Sequence, residues 1–253
     1  MTMIRPGGEA LTKKAIELAG FPDGARVLDV GCGEGDTVRL LKEQYGFDAV
    51  GIDASNKMVD SAKARHPGLD LRVMEAEFLD FESNTFDAVL MECFLSVARL
   101  QPDASFEAYC TLKPGGKLIL TDLYRRNPDP AKVAAMLTEA HEKARQPKVD
   151  GACGENSAPS FVMLDGAFVV DELAGMLEET GFEVEYFSDE TAALAGFAAQ
   201  AIMGHGSLTE YFQAVVPEGE DPAAYCACGA FEGGDCPKDL GYFLMILRKR
   251  GDV

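Results

Sequence analysis

Nowhere in the 253 residues does an apolar run approach the ~20 residues that cross a bilayer, and the first twenty hold neither a basic leader nor a continuous apolar stretch. No membrane-crossing helix is expected, and the expectation is a cytoplasmic protein. Positive charge is also scarce: 23 Lys and Arg stand against 42 Asp and Glu, a net charge of −19. The imbalance grows along the chain, from 20 acids and 15 bases in 1–126 to 22 acids and 8 bases in 127–253. No Lys or Arg occurs between Val149 and Pro237. Such a surface repels phosphate backbones and anionic lipid, so neither nucleic acid nor a membrane is expected as a partner. The cysteines number seven, an odd and irregularly spaced set that argues for reduced thiols rather than a disulfide framework. Repeats and low-complexity tracts are absent. With 47% hydrophobic and 26% charged residues, the chain reads as a single globular unit over 1–253.

Within that unit, apolar runs alternate with helical periodicity. Glu9 to Gly20 reads as a short amphipathic helix behind an Arg5-Pro-Gly-Gly turn. Ala25 to Val30 is a strand that runs into Gly31-Cys-Gly-Glu-Gly35 and then a helix, Asp36 to Tyr45. Ala49 to Asp53 is the second strand, Ser55 a helix cap, and Asn56 to Arg65 the helix that stops at His66-Pro67-Gly68. Leu69 to Glu75, Phe86 to Met91 and Gly116 to Asp122 read as three further strands, with Gln101 to Leu112 the helix before the last of them. This alternation implies an α/β fold around a doubly wound, parallel sheet. Beyond Leu123 come a helix over Pro128 to Gln146, a loop from Pro147 to Ala158, and a helix over Asp171 to Thr180. A sixth strand spans Phe182 to Phe187 and a last one Gly241 to Leu247. The connection from Thr191 to Leu240 far exceeds the ~2–6 residues of an ordinary link, so it should carry a helix of its own and a function.

The glycine turn is the first chemical signal. A strand that ends in glycines and opens a helix lets a ligand approach the backbone. Its Gly-x-Gly-x-Gly spacing differs from the Gly-x-Gly-x-x-Gly of pyrophosphate binders, which argues against a nicotinamide enzyme. Asp29, two residues before the first glycine, suits a cationic amine better than a phosphate. Asp53 lies 22 residues after Gly31, close to the ~20 at which an acid meets a ribose diol in doubly wound sites. At the end of the third strand, Glu75-Ala-Glu77 is placed to meet an adenine edge, and Met58 is placed to cover an adenine face.

Four ordered segments, Val27-Leu-Asp-Val-Gly-Cys-Gly-Glu-Gly35, Gly51-Ile-Asp-Ala-Ser55, Phe86-Asp-Ala-Val-Leu90 and Leu112-Lys-Pro-Gly-Gly-Lys-Leu118, resemble the successive motifs of class I S-adenosylmethionine-dependent methyltransferases. The similarity is to the small-molecule branch that includes quinone-biosynthesis and arsenite methyltransferases. It runs from about Leu11 to Asp122 and returns at Leu173 to Phe187 and Gly241 to Lys249. The resemblance implies a Rossmann-like, seven-stranded, mostly parallel sheet with helices on both faces and the last strand antiparallel. It implies S-adenosylmethionine as cofactor, with Gly31, Cys32, Gly33 and Gly35 beside the methionyl part and Asp29 on its amino group. Asp53 and Ala54 would meet the ribose, Met58 the base, Glu75 and Ala76 the adenine edge, and Met91 and Glu92 would border the sulfonium. Glu75 stands where the family has Asp. On this pattern 23–124 is the cofactor core, completed by 171–190 and 241–250, with 1–22 as a helix and lid and 125–170 and 191–240 as cap insertions.

Methyl transfer from a sulfonium is an in-line displacement, and a base is needed only when the acceptor must lose a proton. Candidates are His205 in the late insertion, and Asp122 and Tyr124 at the end of the fifth strand; His66 reads as a helix-end cap and His141 as a solvated helix residue. The acidic cap suits a neutral or cationic small-molecule acceptor. Cys153, Cys226, Cys228 and Cys236 make a thiol site for a metal or metalloid conceivable, as in arsenite methyltransferases. Their spacing is a poor match to zinc motifs, and the family's Cys-x-x-Gly-Ala pattern occurs as Met163-Leu-Asp-Gly-Ala167, with Met for Cys. No resident metal is therefore expected. The remaining alternative is a cofactor-binding accessory protein that transfers nothing.

Overall fold

The computed structural model describes residues 5–144, 162–216 and 237–251. Helix α1 (Gly8–Ala19) buries Leu11, Ala15 and Ile16 and ends at Gly20, whose left-handed backbone returns its N–H to the Ile16 carbonyl. Then follow β1 (Arg26–Val30), α2 (Asp36–Tyr45), β2 (Asp48–Asp53), α3 (Asn56–Arg65) and β3 (Asp70–Val73). The Ser55 hydroxyl caps α3 by accepting from the Met58 N–H at 3.3 Å. After β4 (Phe86–Glu92) come a 3-10 turn (Leu95–Val97), α4 (Gln101–Thr111) and the long strand β5 (Leu112–Arg125). The C-terminal half contains α5 (Pro130–Ala144), β6 (Met163–Leu164), β7 (Ala167–Phe168), α6 (Val170–Thr180), β8 (Phe182–Asp189), α7 (Thr191–His205), α8 (Leu208–Val215) and β9 (Leu240–Lys249).

Strands β3, β2, β1, β4 and β5 lie side by side in that order, all parallel. β9 pairs antiparallel with β5 on one edge and with β8 on the other. Alternate residues of each central strand serve opposite faces. Val27, Ala88, Leu90, Ile119, Leu123, Tyr242, Leu244 and Ile246 pack with α1, α2, α3, α7 and α8, whereas Leu28, Val30, Val89, Met91, Leu118, Leu120, Phe243 and Met245 pack with α4 and α6. A sheet buried on both sides explains why these strands read as continuous apolar runs.

The parallel core, the helices on both faces and the antiparallel last strand agree with expectation. The strand count differs. A two-residue hairpin, β6–β7, adds to the seven, with β7 parallel to β5 through Tyr124 and Phe168. Its turn is Asp165-Gly166, both with positive φ (47° and 75°), the backbone that an Asp-Gly pair adopts in tight hairpins. The stretch compared above with a metalloid-binding motif is thus a hairpin of the sheet. The long connection after Thr191 supplies two helices where one was expected; residues 217–236 and 145–161, including Cys153, Cys226, Cys228 and Cys236, lie outside the described residues. No described helix is long and apolar enough to cross a membrane.

Candidate active site

The carboxyl ends of β1, β2, β3 and β4 open into a cavity of about 1220 Å³. Gly31, Cys32 and Gly33 from the glycine turn line it, as do Asp53, Ala54, Met58, Glu75, Ala76 and Glu92. The two glycines have φ of 72° and 50°, and a methyl on Gly31 would lie 2.3 Å from the Phe94 ring. Gly31→Ala is therefore expected to lower stability by about 3 kcal/mol, combining left-handed strain with overpacking. Urea unfolding checks this, and an unchanged midpoint would show that the Phe94 wall yields freely.

Asp53 is held by two backbone donors: the Gly33 N–H at 3.0 Å to Oδ2 and the Ser55 N–H at 2.9 Å to Oδ1. Met58 is buried on the first turn of α3, and its Cε would lie 3.4 Å from a Cβ built on Gly33, so the thioether and the glycine turn face each other. Glu75 stands 3.5 Å from Arg99, and Glu77 accepts from the Leu100 N–H at 3.0 Å.

Glu92, at the end of β4, is the centre of a buried network. Its Oε2 accepts from the Arg5 guanidinium at 2.7 Å, its Oε1 accepts from the Thr12 hydroxyl at 2.8 Å, and the Thr37 hydroxyl donates to Oε2 at 3.4 Å. Arg5 also donates to Thr12. Its Nε is buried and has no partner among the described residues, and the residue lines the cavity. Asp29 lies behind the turn, only 3% exposed. Burial, with the charge of Glu92, pushes its carboxyl well above the ordinary range, while Arg5 opposes that shift.

Not every expected residue reaches the cavity. Gly35 caps α2 in the left-handed conformation and is not in the wall. Met91 is fully buried on the opposite face of the sheet, because β-strand alternation turns it away from Glu92. Tyr124 packs edge-on to Phe187 and Phe243 and bonds to Asp189, away from the cavity. His205, at the end of α7, is in the wall and packs edge-on to Tyr211. His66 is the C-cap of α3, 3.3 Å from Asp36, and His141 lies in α5. Sequence reasoning missed Arg5, Thr12 and Thr37, whose partner lies 55 to 87 residues away along the chain.

Asp122 is 1% exposed and also stands outside the cavity wall. It accepts from the Ser96 N–H at 2.9 Å and the Leu123 N–H at 2.8 Å, tying the 3-10 turn to β5. Burial raises its pKa to about 6 against those hydrogen bonds. The folded state therefore holds this proton more tightly than the unfolded chain, so the ionised group costs stability as pH rises from about 4 through 6. Between pH 4.5 and 7.5 the stability of Asp122→Asn should improve relative to wild type by about 2 kcal/mol. Paired urea titrations test this; a constant difference across that range would remove the assignment.

Among the described residues, no group of three or more His, Cys, Asp or Glu is arranged to hold a metal ion. Residues 27–116, which hold the glycine turn and the acid after β2, match one family model, described as a methyltransferase domain. Residues 27–116 carry a methyltransferase domain. The chain is 33% identical over 129 residues to phosphoethanolamine N-methyltransferase 3 of Arabidopsis thaliana, covering 49% of this chain and 26% of that protein. It is 29% identical over 178 residues to a demethylmenaquinone methyltransferase of Tropheryma whipplei, covering 68% of this chain and 72% of that protein. Among solved structures, a phosphoethanolamine N-methyltransferase 2 of Haemonchus contortus in complex with S-adenosyl-L-methionine superposes with a TM-score of 0.64 at 18% identity. That match covers 98% of this chain and 54% of the other. The chain thus spans from about a quarter to two-fifths of the length of the phosphoethanolamine relatives (26% and 38%). The match with the methyltransferase domain embraces the whole wall from Gly31 to Glu92 and leaves out Arg5 and the α7–α8 side.

Proposed function

We propose that the protein binds S-adenosylmethionine in the carboxyl-edge cavity and catalyses transfer of its methyl group to a small neutral or cationic acceptor. The observation that carries this reading is the Asp53 carboxylate, fixed by the Gly33 and Ser55 N–H groups at the mouth of the glycine turn. When bound, the cofactor supplies a methyl on a positively charged sulfur that leaves as a neutral thioether. Asp53 accepts from the ribose hydroxyls, Met58 covers the adenine face, and Glu75 with Ala76 meets its edge. The Nε–H of Arg5, without a partner among the described residues, is a buried donor suited to the carboxylate of the amino-acid portion, whereas Asp29, expected on its ammonium, stands outside the cavity wall. Glu92 contributes negative charge where the sulfonium is expected, kept in place by Thr12, Thr37 and Arg5. Phe94 and the 3-10 turn that Asp122 secures close one side of the cavity, so that acceptor and methyl meet with little water between them. His205, in the cavity wall, is the group that takes a proton if the acceptor must lose one. The same reading assigns the protein to a reducing compartment, in keeping with its seven cysteines.

Calorimetric titration of the reduced protein with S-adenosylmethionine, S-adenosylhomocysteine and NAD tests the assignment. Saturable binding of the two adenosyl compounds and none of NAD is expected. Absence of adenosyl binding by folded protein would overturn the cofactor reading.

A further inference from the structure

The cavity of about 1220 Å³ exceeds the ~300–1,000 Å³ typical of one small-ligand site, and its walls differ in character. The β1–β4 side carries the glycine turn and the acids. The α7–α8 side is contributed by Phe197, Gln200, His205, Tyr211 and Phe212, with Phe94 facing from the β4 end, and among the described residues it contains no Asp, Glu, Lys or Arg. Phe197, Tyr211 and Phe212 form one aromatic cluster with ring centroids 5.3 to 6.3 Å apart.

The cations in the wall complete the description. Among the described residues, three arginines and no lysine line the cavity, and each arginine faces a carboxylate: Arg5 with Glu92 at 2.7 Å, Arg65 with Glu34, and Arg99 with Glu75 at 3.5 Å. Asp36, Asp53 and Glu77 add further acids. A phosphate dianion requires cationic or multiple N–H partners aimed at it, and the described residues of the α7–α8 side supply no cation.

We infer that the α7–α8 chamber takes an amine with an apolar body and rejects phosphate-bearing acceptors, a specificity opposite in charge to that expected for phosphomonoester substrates. This deepens the methyltransferase reading and rests on it. Aromatic faces beside a net-negative wall favour an organic cation. The transfer fits that environment. The bound ammonium first loses a proton to solvent at the rim, and the lone pair so freed forms the new C–N bond as the C–S bond breaks with its electron pair remaining on sulfur, so that the positive charge passes from sulfur to nitrogen. A primary or secondary amine then releases its proton to solvent at the rim where His205 stands. One positive charge is present in the cavity before and after the bond is made, so the acidic wall is matched throughout.

The test is calorimetric, using protein saturated with S-adenosylhomocysteine and two probes of one shape, phenethylamine and 2-phenylethyl phosphate. The amine is expected to bind at least about tenfold more tightly than the phosphate. Phosphate binding as tight as the amine, or no amine binding to the loaded protein, overturns the inference. Gln200→Arg, which places a cation on the exposed wall of α7, should strengthen phosphate binding and weaken amine binding, each about fivefold or more, without changing S-adenosylhomocysteine affinity. If neither probe responds to that substitution, the chamber is not their site and the inference falls. Failure of S-adenosylhomocysteine itself to bind would instead overturn the cofactor reading, which keeps the two failures distinct.

Discussion

Asp53→Ala is expected to weaken S-adenosylmethionine binding by about a hundredfold, the largest effect of any single substitution in the cofactor half of the cavity. Two losses combine. The ribose hydroxyls lose a charged acceptor, worth about 1.5–3 kcal/mol for a hydrogen bond of this kind. The Gly33 and Ser55 N–H groups, 3.0 and 2.9 Å from the carboxylate, also lose the partner that fixes the glycine turn against the start of α3. Asp53→Asn is no rescue, because its amide NH2 must face one of those two N–H donors. Calorimetry on both variants, with circular dichroism to confirm folding, checks the effect. Affinity within twofold of wild type would remove the ribose assignment.

Glu92→Ala should destabilise the protein by about 3 kcal/mol, because it leaves the Arg5 guanidinium buried without its counter-charge and strips Thr12 and Thr37 of an acceptor. The side chains of Arg5 and Glu92 are only 11% and 3% exposed, so solvent takes little part in the pair. Arg5 precedes α1 and has an escape that Glu92 lacks: the N-terminal turn can swing out and hydrate the guanidinium. Part of the loss should therefore appear as local opening, with amide protection falling in α1 more than in β4 or β5. Hydrogen exchange together with urea unfolding measures both components. In the Arg5→Ala and Glu92→Ala double-mutant cycle, a coupling near zero would show that the pair adds nothing beyond its separate hydrogen bonds.

The sheet was legible because both faces of its central strands are covered, which turns β1, β2, β4 and β9 into short apolar runs set off by turn residues. The glycine turn and Asp53 were legible for a related reason: the residues that build that corner lie within 23 positions of one another, from Gly31 to Asp53. The Glu92 network was not. Its donors come from the N-terminal turn, α1 and α2, and no local pattern announces that a threonine in α1 will meet a glutamate 80 residues later. Met91 and Glu92 illustrate the limit on a smaller scale: a motif names both, but the pleat admits only one to the cavity. The Asp165-Gly166 turn carried a hairpin signal whose importance depended on β5 continuing as far as Tyr124 to receive Phe168. Asp122 and Tyr124 sit in the same strand at the expected edge, yet the hydrogen bonds of the 3-10 turn claim one and the β8–β9 aromatic residues claim the other.

The position of β9 also bears on synthesis. β9 pairs along nine residues of β5 and closes the gap to β8, yet of the described strands of this sheet it is made last. Until Leu240–Lys249 emerge, the open side of β5 presents unpaired backbone groups beside Leu118, Ile119, Leu120 and Leu123, all of them buried in the finished sheet. If the core folds as it is made, translation of 126–239 would pass with that edge unpaired, and the acid-rich stretch made in the interval would add like-charge repulsion between neighbouring chains.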